Sequence, residues 1–343
     1  MAWQKSRLYF SKKLPSPHRW GQGTVLIYDR LLIKNFELSK WIRKFDLRYG
    51  VKSGEKLKNL DQFPKHMKKI MNLVEGQPLQ EITIVVFGGG TLGDFGGFVA
   101  SVLKRGVRLV QIPSTWLSAV DSAHGGKTAL NVSRIKNQIG TFYSAEEVFL
   151  VREVLEALPH VRSVEALGEI LKINLIEGRQ LWKNMMHLPK VDSNAYWKHL
   201  PLMVEAKYRV VKKDPYEQKG IRHILNLGHT MGHVWESQLK IPHGIAVLYG
   251  VAFALEWSLH RKILSSKHYY NIRLSEFGSF LPDRIDLEKI IEQTKNPQKF
   301  LLQDKKLSAH SEIRFVFLAA PGKACIQKVK INELLNELKR QAI

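Results

Sequence analysis

The chain has 343 residues, enough for two domains of ordinary size, and its 44% hydrophobic and 24% charged residues are typical of a folded protein. The formal net charge is +22, but lysines and arginines are spread along the whole length, so no specific nucleic-acid function is predicted. No apolar run approaches the roughly 20 residues of a membrane span, and the N-terminus is not expected to be a secretory signal. The only cysteine, Cys325, excludes an internal disulfide and favours a reducing cytoplasm.

The first half of the chain predicts a parallel sheet. Short apolar runs at 24–29 (TVLIYD), 82–87 (ITIVVF) and 107–112 (VRLVQI) are typical of buried strands. The second run stops at Gly88, and the small and apolar residues that follow suit a packed helix. Strand, glycine turn, helix and strand form a βαβ unit, which indicates an α/β domain with a Rossmann-like sheet.

The glycine turn GGGTLGD, from Gly88 to Asp94, could bind a diphosphate. Glycines let the backbone approach the phosphates, and a helix N-terminus offers its unpaired N–H groups. The pattern is not GxGxxG, so close packing of strand on helix is the alternative.

A polar segment covers residues 113–140. Its GGKT resembles a phosphate loop, but Asp121 rather than glycine stands six residues before Lys127. We interpret the segment as a long functional loop, with an ordinary polar surface loop as the alternative.

From about residue 151 helical spacing dominates, and a stretch at 313–319 could be a stray strand. We therefore predict an α/β domain at 1–150 and a mainly α-helical domain at 151–343.

Three histidines cluster between residues 224 and 247. His229 and His233 are four residues apart and would share one helix face, while His243 lies between Pro242 and a glycine, in a loop or at a new helix start. Imidazoles from different elements can converge on a zinc-like ion, although surface or core histidines are the ordinary reading. A catalytic zinc needs a third ligand, and Glu169 could complete a His₂Glu site. The default for Glu169 is a surface ion pair with Lys172, three residues later.

Lys207, Arg222 and Asn226 precede the histidines. On one helix Arg222, Asn226 and His229 would lie on the same face. Cations there would suit a carboxylate or phosphate.

Several segments together closely resemble the 3-dehydroquinate synthases, which are sugar-phosphate cyclases with a glycerol-dehydrogenase-like fold. They recur in the family's order: GGGTLGDFGGFVAS, RGVRLVQIPSTWLSAVDSAHGGKT, IKNQIG, LNLGHTMGH and PHG. The resemblance extends from about residue 54 to 306. It implies that the first domain binds NAD and that the second binds a metal ion and the substrate.

Site residues follow from the resemblance position by position. The implied metal ligands, for zinc or cobalt, are Glu169, His229 and His243. The implied NAD site comprises Asp29, Gly54, Glu55, Lys58, Gly90, Thr91, Leu92, Gly93, Asp94, Ser114, Thr115, Asp121, Lys127, Lys136 and Leu155. The implied substrate-binding and catalytic residues are Arg105, Lys127, Asn137, Lys172, Lys207, Arg222, Asn226, His233 and one of Lys305 and Lys306, of which we favour Lys306.

The resemblance also implies the reaction. 3-Deoxy-D-arabino-heptulosonate 7-phosphate would lose phosphate and close to 3-dehydroquinate, with NAD recycled within each turnover. His233 would relay a proton, since an imidazole ordinarily titrates near neutrality. A cytoplasmic homodimer acting on an anionic sugar-acid phosphate is expected, with neither a membrane nor a specific nucleic acid as partner.

Some positions depart from the family pattern. Ile245 replaces the acid of HGE and so removes a carboxylate that could hold His243. Gln218 stands where an acid is usual, Ile135 replaces a glycine, Ser114 replaces a threonine, and the usual GxAE reads ALGE at 166–169. A one-residue insertion between Asp214 and Arg222 could account for Gln218.

The departures leave three other readings open. Cyclases acting on sedoheptulose 7-phosphate or glucose 6-phosphate have no substrate carboxylate for Arg222 to bind. A metal-dependent polyol dehydrogenase would have no use for Lys127, Lys136, Lys172 and Lys207. The third reading is a basic binding protein that has lost its activity, which the charge of +22 suggests.

Overall fold

A computed structural model describes residues 3–133, 135–157, 163–188, 191–302 and 312–342. The chain forms two compact units, Met1–Arg162 and Ser163–Ile343. In the described ranges no helix is both long and apolar enough to cross a membrane. The division by function, with NAD on residues 1–150 and the metal and substrate on 151–343, stays a prediction.

The first unit contains a parallel sheet, as predicted. Its strands are β1 (Arg7–Ser11), β2 (Thr24–Asp29), β3 (Leu47–Val51), β4 (Thr83–Gly88), β5 (Arg108–Pro113), β6 (Lys127–Val132), β7 (Ile135–Phe142) and β8 (Glu147–Val151). Within the described residues, six of them form the sheet in the order β1-β8-β5-β4-β2-β3, and every neighbouring pair is parallel. All six residues of β4 are buried, because helices cover both faces of such sheets and favour apolar strands.

The helices of this unit are α1 (Phe36–Arg43), α2 (Phe63–Leu73), α3 (Gly90–Val102) and α4 (Arg152–Glu156). Leu26, Val85 and Val110 of the sheet form one core cluster together with Trp41 of α1 and Phe45. Helix α3 follows β4 directly, so the predicted strand–turn–helix order is confirmed.

The interpretation of residues 113–140 as a long loop is wrong. Strands β6 and β7 form an antiparallel hairpin there, preceded by a π-helical turn at Ser118–Ser122. Most of β7 is exposed, which explains why its sequence is polar enough to look like a loop.

The second unit is mainly helical, as predicted. Its helices are α5 (Leu167–Glu177), α6 (Gln180–Met186), α7 (Ser193–Val211), α8 (His229–Leu239), α9 (His243–His260), α10 (Ser266–Arg273), α11 (Arg284–Glu292), α12 (Pro297–Leu302) and α13 (Ile331–Gln341). The stretch at 313–319 is not a stray strand, because β9 (Glu312–Ala320) pairs antiparallel with β10 (Lys323–Lys330). The sequence reading missed β10, in which seven of the eight residues are exposed or half-exposed.

Glycines allow the helices α5, α8 and α9 to pack closely. A Cβ on Gly168 of α5 would collide with the carbonyl oxygen of Gly244 in α9, and a Cβ on Gly250 of α9 would collide with that of Gly228. Gly168, Gly228 and Gly244 directly adjoin Glu169, His229 and His243. The same close contacts therefore set the positions of these three polar side chains.

Substituting Gly168→Ala should destabilise the second unit. The added methyl group would collide with backbone atoms of α9. Backbone atoms cannot rotate away as the end of a flexible side chain can. Overpacking of this kind costs about 1–3 kcal/mol in the free energy of unfolding. Urea denaturation would measure the loss in the free energy of unfolding. An unchanged unfolding midpoint would show that α5 and α9 are packed less tightly at Gly168 than the structure has them.

Candidate active site

Three helices of the second unit bring one carboxylate and two imidazoles together. Glu169 lies in the first turn of α5, and His229 and His243 are the first residues of α8 and α9. Oε1 of Glu169 lies 3.3 Å from Nε2 of His229 and 3.2 Å from Nε2 of His243. The sequence left either a loop or a new helix start open for His243, and the structure shows the helix start.

The spacing of these atoms fits a divalent ion of the zinc class. Donors bound tetrahedrally to zinc at about 2.0–2.1 Å lie about 3.3 Å from one another. The two distances to Glu169, 3.2 and 3.3 Å, match this value. One carboxylate and two imidazoles also form a donor set found in catalytic zinc sites.

Lys172 determines the charge state of Glu169. Its ammonium pairs with the other carboxylate oxygen, Oε2. Burial alone would raise the pKa of Glu169, but Lys172 and His229 hold that pKa well below its usual range. The expectation that Glu169 and Lys172 form an ordinary ion pair on the surface is therefore wrong, because Glu169 is 1% and Lys172 2% exposed. Glu169 is thus kept as an anion in a site that would otherwise favour the neutral acid.

The two candidate imidazole ligands differ in their electrostatics. Burial, followed by the charge of Lys172, lowers the pKa of His229, which favours a neutral ring. Burial also acts to lower the pKa of His243, but hydrogen bonds with Glu169 and Glu236 outweigh it and raise that pKa to about 10. Nδ1 of His243 lies 2.8 Å from Oε2 of Glu236.

Sequence reasoning missed Glu236. It lies seven residues after His229 and three after His233 in α8, so the three share a helix face. This spacing from the two histidines is the signal in the sequence that could have identified it.

His233 stands beside the cluster on its exposed side. Its ring centre lies 5.1 Å from that of His229 and 5.9 Å from that of His243. His229 and His233 both belong to α8, as their spacing predicted. An exposed imidazole beside the cluster can exchange protons with a bound molecule.

The predicted substrate cations of this unit are buried. Lys207 lies in α7, and Arg222, 3% exposed, lies in a 3-10 segment, Ile221–Asn226. Nη1 of Arg222 donates to the carbonyl oxygen of Pro215 at 2.8 Å. Asn226 contacts the ring of His223, Nδ2 to Nδ1, at 3.2 Å. The candidate residues Lys305 and Lys306 lie outside the described residues.

The prediction that Arg222, Asn226 and His229 share one helix is wrong. The chain turns at Gly228, whose φ is +80°, and α8 begins only at His229. The carboxylate of Asp214 organises the preceding turn by accepting from the backbone N–H groups of Lys219 and Arg222 at 3.0 and 3.2 Å.

In the first unit, the predicted nucleotide residues gather at one edge of the sheet. The adjacent strands β2, β4 and β5 end at Asp29, Gly88 and Pro113, and parallel strands have their carboxyl ends at a common edge. The residues that end or follow these strands are Asp29, Gly90, Thr91, Leu92, Gly93, Asp94, Ser114 and Thr115. Helix α3 begins at Gly90, so its N-terminus is also at this edge.

A polar network joins three segments at this edge. Nζ of Lys58 donates to Asp94 and to Asn137, both at 2.6 Å. Asn131 accepts from the backbone N–H of Asn137 at 2.9 Å and donates to the carboxylate of Glu55 at 2.8 Å. Burial raises the pKa of Asp94 and Lys58 opposes that rise. The network ties the turn Glu55–Lys58 and the β6–β7 hairpin to the start of α3.

The remaining candidates of the first unit lie around these elements. Lys127 and Lys136 are exposed on the hairpin. Arg105 is exposed and has a φ of +72°, and Gly54 has a φ of +135°. Asp121 lies in the π-helical turn, and Leu155 is buried in α4.

Comparisons with known proteins agree with this architecture. Solved structures under 25% identical share the fold. One is 2-epi-5-epi-valiolone synthase from Streptomyces hygroscopicus subsp. jinggangensis 5008, with NAD+ and Zn2+ bound (TM-score 0.78, 18% identity, 100% of this chain and 98% of that chain). Another is 2-deoxy-scyllo-inosose synthase complexed with carbaglucose-6-phosphate, NAD+ and Co2+ (TM-score 0.76, 20% identity, 97% and 96%). A probable glycerol dehydrogenase from Sinorhizobium meliloti 1021 also matches (TM-score 0.58, 13% identity, 99% and 98%).

Sequence comparisons are more specific. Residues 48–165 match the family model of the 3-dehydroquinate synthase N-terminal region, and residues 166–307 match that of its C-terminal region. A 3-dehydroquinate synthase of Leptospira interrogans (serovar copenhageni) is 36% identical over 291 residues, covering 79% of this chain and 74% of the relative. One from Alkaliphilus oremlandii is 34% identical over 305 residues, covering 84% and 80%. The chain therefore belongs to the 3-dehydroquinate synthase family.

Proposed function

We propose that this chain converts 3-deoxy-D-arabino-heptulosonate 7-phosphate to 3-dehydroquinate and phosphate, as a carbon–oxygen lyase that depends on NAD and a divalent metal. The observation that carries the proposal is the cluster of Glu169, His229 and His243. Membership of the family supports the reaction. The NAD+ and the Zn2+ or Co2+ named for two proteins of the same fold support the choice of cofactors.

Each unit contributes one part of the machinery. In this proposal the carboxyl edge of the sheet, with the start of α3, holds NAD, and Glu169, His229 and His243 hold zinc or cobalt. When bound, NAD supplies a reversible hydride acceptor, and the metal ion supplies a Lewis acid for the hydroxyl to be oxidised. The chain's own side chains then bind the substrate, orient it and move its protons.

Substrate binding follows from the buried cations. A guanidinium matches the planar geometry of a carboxylate, while an ammonium acts as a point charge toward phosphate. The bond from Arg222 to the carbonyl of Pro215 fixes the plane of the guanidinium. We assign Arg222 and Asn226 to the substrate carboxylate, and lysines with Arg105 to the phosphate.

Proton transfer is assigned to His233. It is exposed, and its ring lies beside those of the two candidate imidazole ligands. It can therefore take the proton of the substrate hydroxyl and later return it.

The alternatives account for fewer of these residues. Cyclases whose substrates lack a carboxylate would leave Arg222 without its proposed role. A polyol dehydrogenase binds no phosphate or carboxylate and would have no use for Lys127, Lys136, Lys172 and Lys207. A homodimer in the cytoplasm, with no specific nucleic acid and no membrane as partner, stays a prediction.

A phosphate-release assay tests the proposal. Purified protein with NAD+ and zinc or cobalt should release phosphate from the heptulosonate phosphate. No net NADH should form, and the absorbance of NADH reports this independently of the phosphate measurement. Sedoheptulose 7-phosphate serves as the control substrate without a carboxylate and should react far more slowly. Steady accumulation of NADH would point to a dehydrogenase, and preference for the control substrate would point to another cyclase.

A further inference from the structure

The two ring nitrogens of His243 have different carboxylate neighbours. Nε2 lies 3.2 Å from Oε1 of Glu169, among the candidate metal ligands. Nδ1 lies 2.8 Å from Oε2 of Glu236, on the neighbouring helix α8. An imidazole that binds a metal through one nitrogen must be neutral, and the proton on its other nitrogen then needs an acceptor.

We propose that Glu236 is the positioning residue of His243: it accepts the Nδ1–H hydrogen bond and so directs the Nε2 lone pair toward Glu169 and His229. The proposal rests on the metal site of the proposed function. His243 is the first residue of α9 and follows Pro242, where the start of a helix gives its ring little support from neighbouring turns. A carboxylate from α8 supplies that support.

The residue two positions after His243 is Ile245, whose side chain offers no hydrogen-bond acceptor. Glu236 supplies a carboxylate to the same histidine from a different helix. The metal site therefore keeps an acceptor for His243 although the sequence next to His243 lacks one.

A second metal ion is the competing use of Glu236. Donor atoms of His233, Glu236 and His243 all lie within 4.8 Å of one another. An ion bridging Glu236 and His243 would separate their donor atoms by about 3.3 Å at ordinary bond lengths. The separation is 2.8 Å, which is the length of a direct hydrogen bond. The geometry therefore favours the hydrogen bond.

Metal titration of the whole protein tests the proposal. Protein stripped with a chelator is titrated with Co2+, with cobalt absorption giving both affinity and stoichiometry. Glu236→Met should weaken binding by about 10- to 100-fold at an unchanged one ion per chain. Glu236→Gln keeps an acceptor oxygen and should lose less.

Glu337→Met is the matched control. Glu337 makes the same contact with His260, Oε2 to Nδ1 at 2.8 Å. His260 is 17 residues along α9 from His243, about 25 Å at the rise of an α-helix. This control should bind Co2+ as tightly as the parent, provided thermal unfolding shows that it is folded at the assay temperature.

The outcomes separate this proposal from the proposed function. Parent protein that binds no Co2+ contradicts the metal site itself. If the parent and Glu236→Met bind one ion equally well, the role of Glu236 alone is overturned. If the parent binds two ions and the variant one, Glu236 is a ligand.

Nitrogen-15 NMR of the parent needs no variant: His243 should carry its proton on Nδ1 when Zn2+ is bound, and a proton on Nε2 would overturn the proposal.

Discussion

Glu169→Gln is expected to lose the metal ion and most of the activity, and to destabilise the protein. The amide keeps the shape of the side chain but removes the anion that faces His229, His243 and Lys172. Lys172, 2% exposed, loses the carboxylate that pairs with it, and breaking a buried ion pair costs about 3–5 kcal/mol. Elemental analysis would give the metal content, and denaturant titration the free energy of unfolding.

A double variant separates the two effects. Removing both members of a buried ion pair is often close to neutral for stability, whereas removing one is not. Glu169→Gln with Lys172→Met should therefore recover most of the lost stability while still binding no metal. If the single variant retained one tightly held ion per chain, Glu169 would not be a ligand.

His233→Ala is expected to slow turnover strongly and to leave the metal in place. Loss of a positioned general acid or base lowers rates by about 10²- to 10⁴-fold. The metal content should remain, because the contacts with Glu169 are made by His229 and His243. Phosphate release and elemental analysis on the same sample would measure both properties.

His229→Ala is the matched comparison, since it removes the same side chain one turn away on α8. It should lose the metal as well as the activity. Metal loss in His233→Ala with retention in His229→Ala would show that the two histidines have exchanged roles.

The sequence predicted the regular part of the fold well. The apolar runs at 24–29, 82–87 and 107–112 correspond to β2, β4 and β5, because buried parallel strands require continuous apolar sequence. The β6–β7 hairpin and β10 were missed, since their exposed residues resemble those of loops. The break at Gly228 was also missed, because helical spacing alone does not reveal a left-handed turn.

The site was less accessible to sequence reasoning. Spacing put His229 and His233 on one helix, but Glu169 is sixty residues away in sequence. Its chemistry made it a possible third ligand, and the family resemblance then implied that role. The burial of Lys172 depends on packing between helices, which an i,i+3 pattern does not contain. Glu236 was visible from its spacing but lacked any reason for attention until its contact with His243 was known.

Anomalous diffraction at the zinc absorption edge, from crystals grown with Zn2+, tests the central claim most directly. The account predicts one strong peak per chain, at bonding distance from a carboxylate oxygen of Glu169 and from Nε2 of both His229 and His243. A peak bound instead to Nδ1 of His243 with Glu236 and His233, or one away from all three helices, would contradict it.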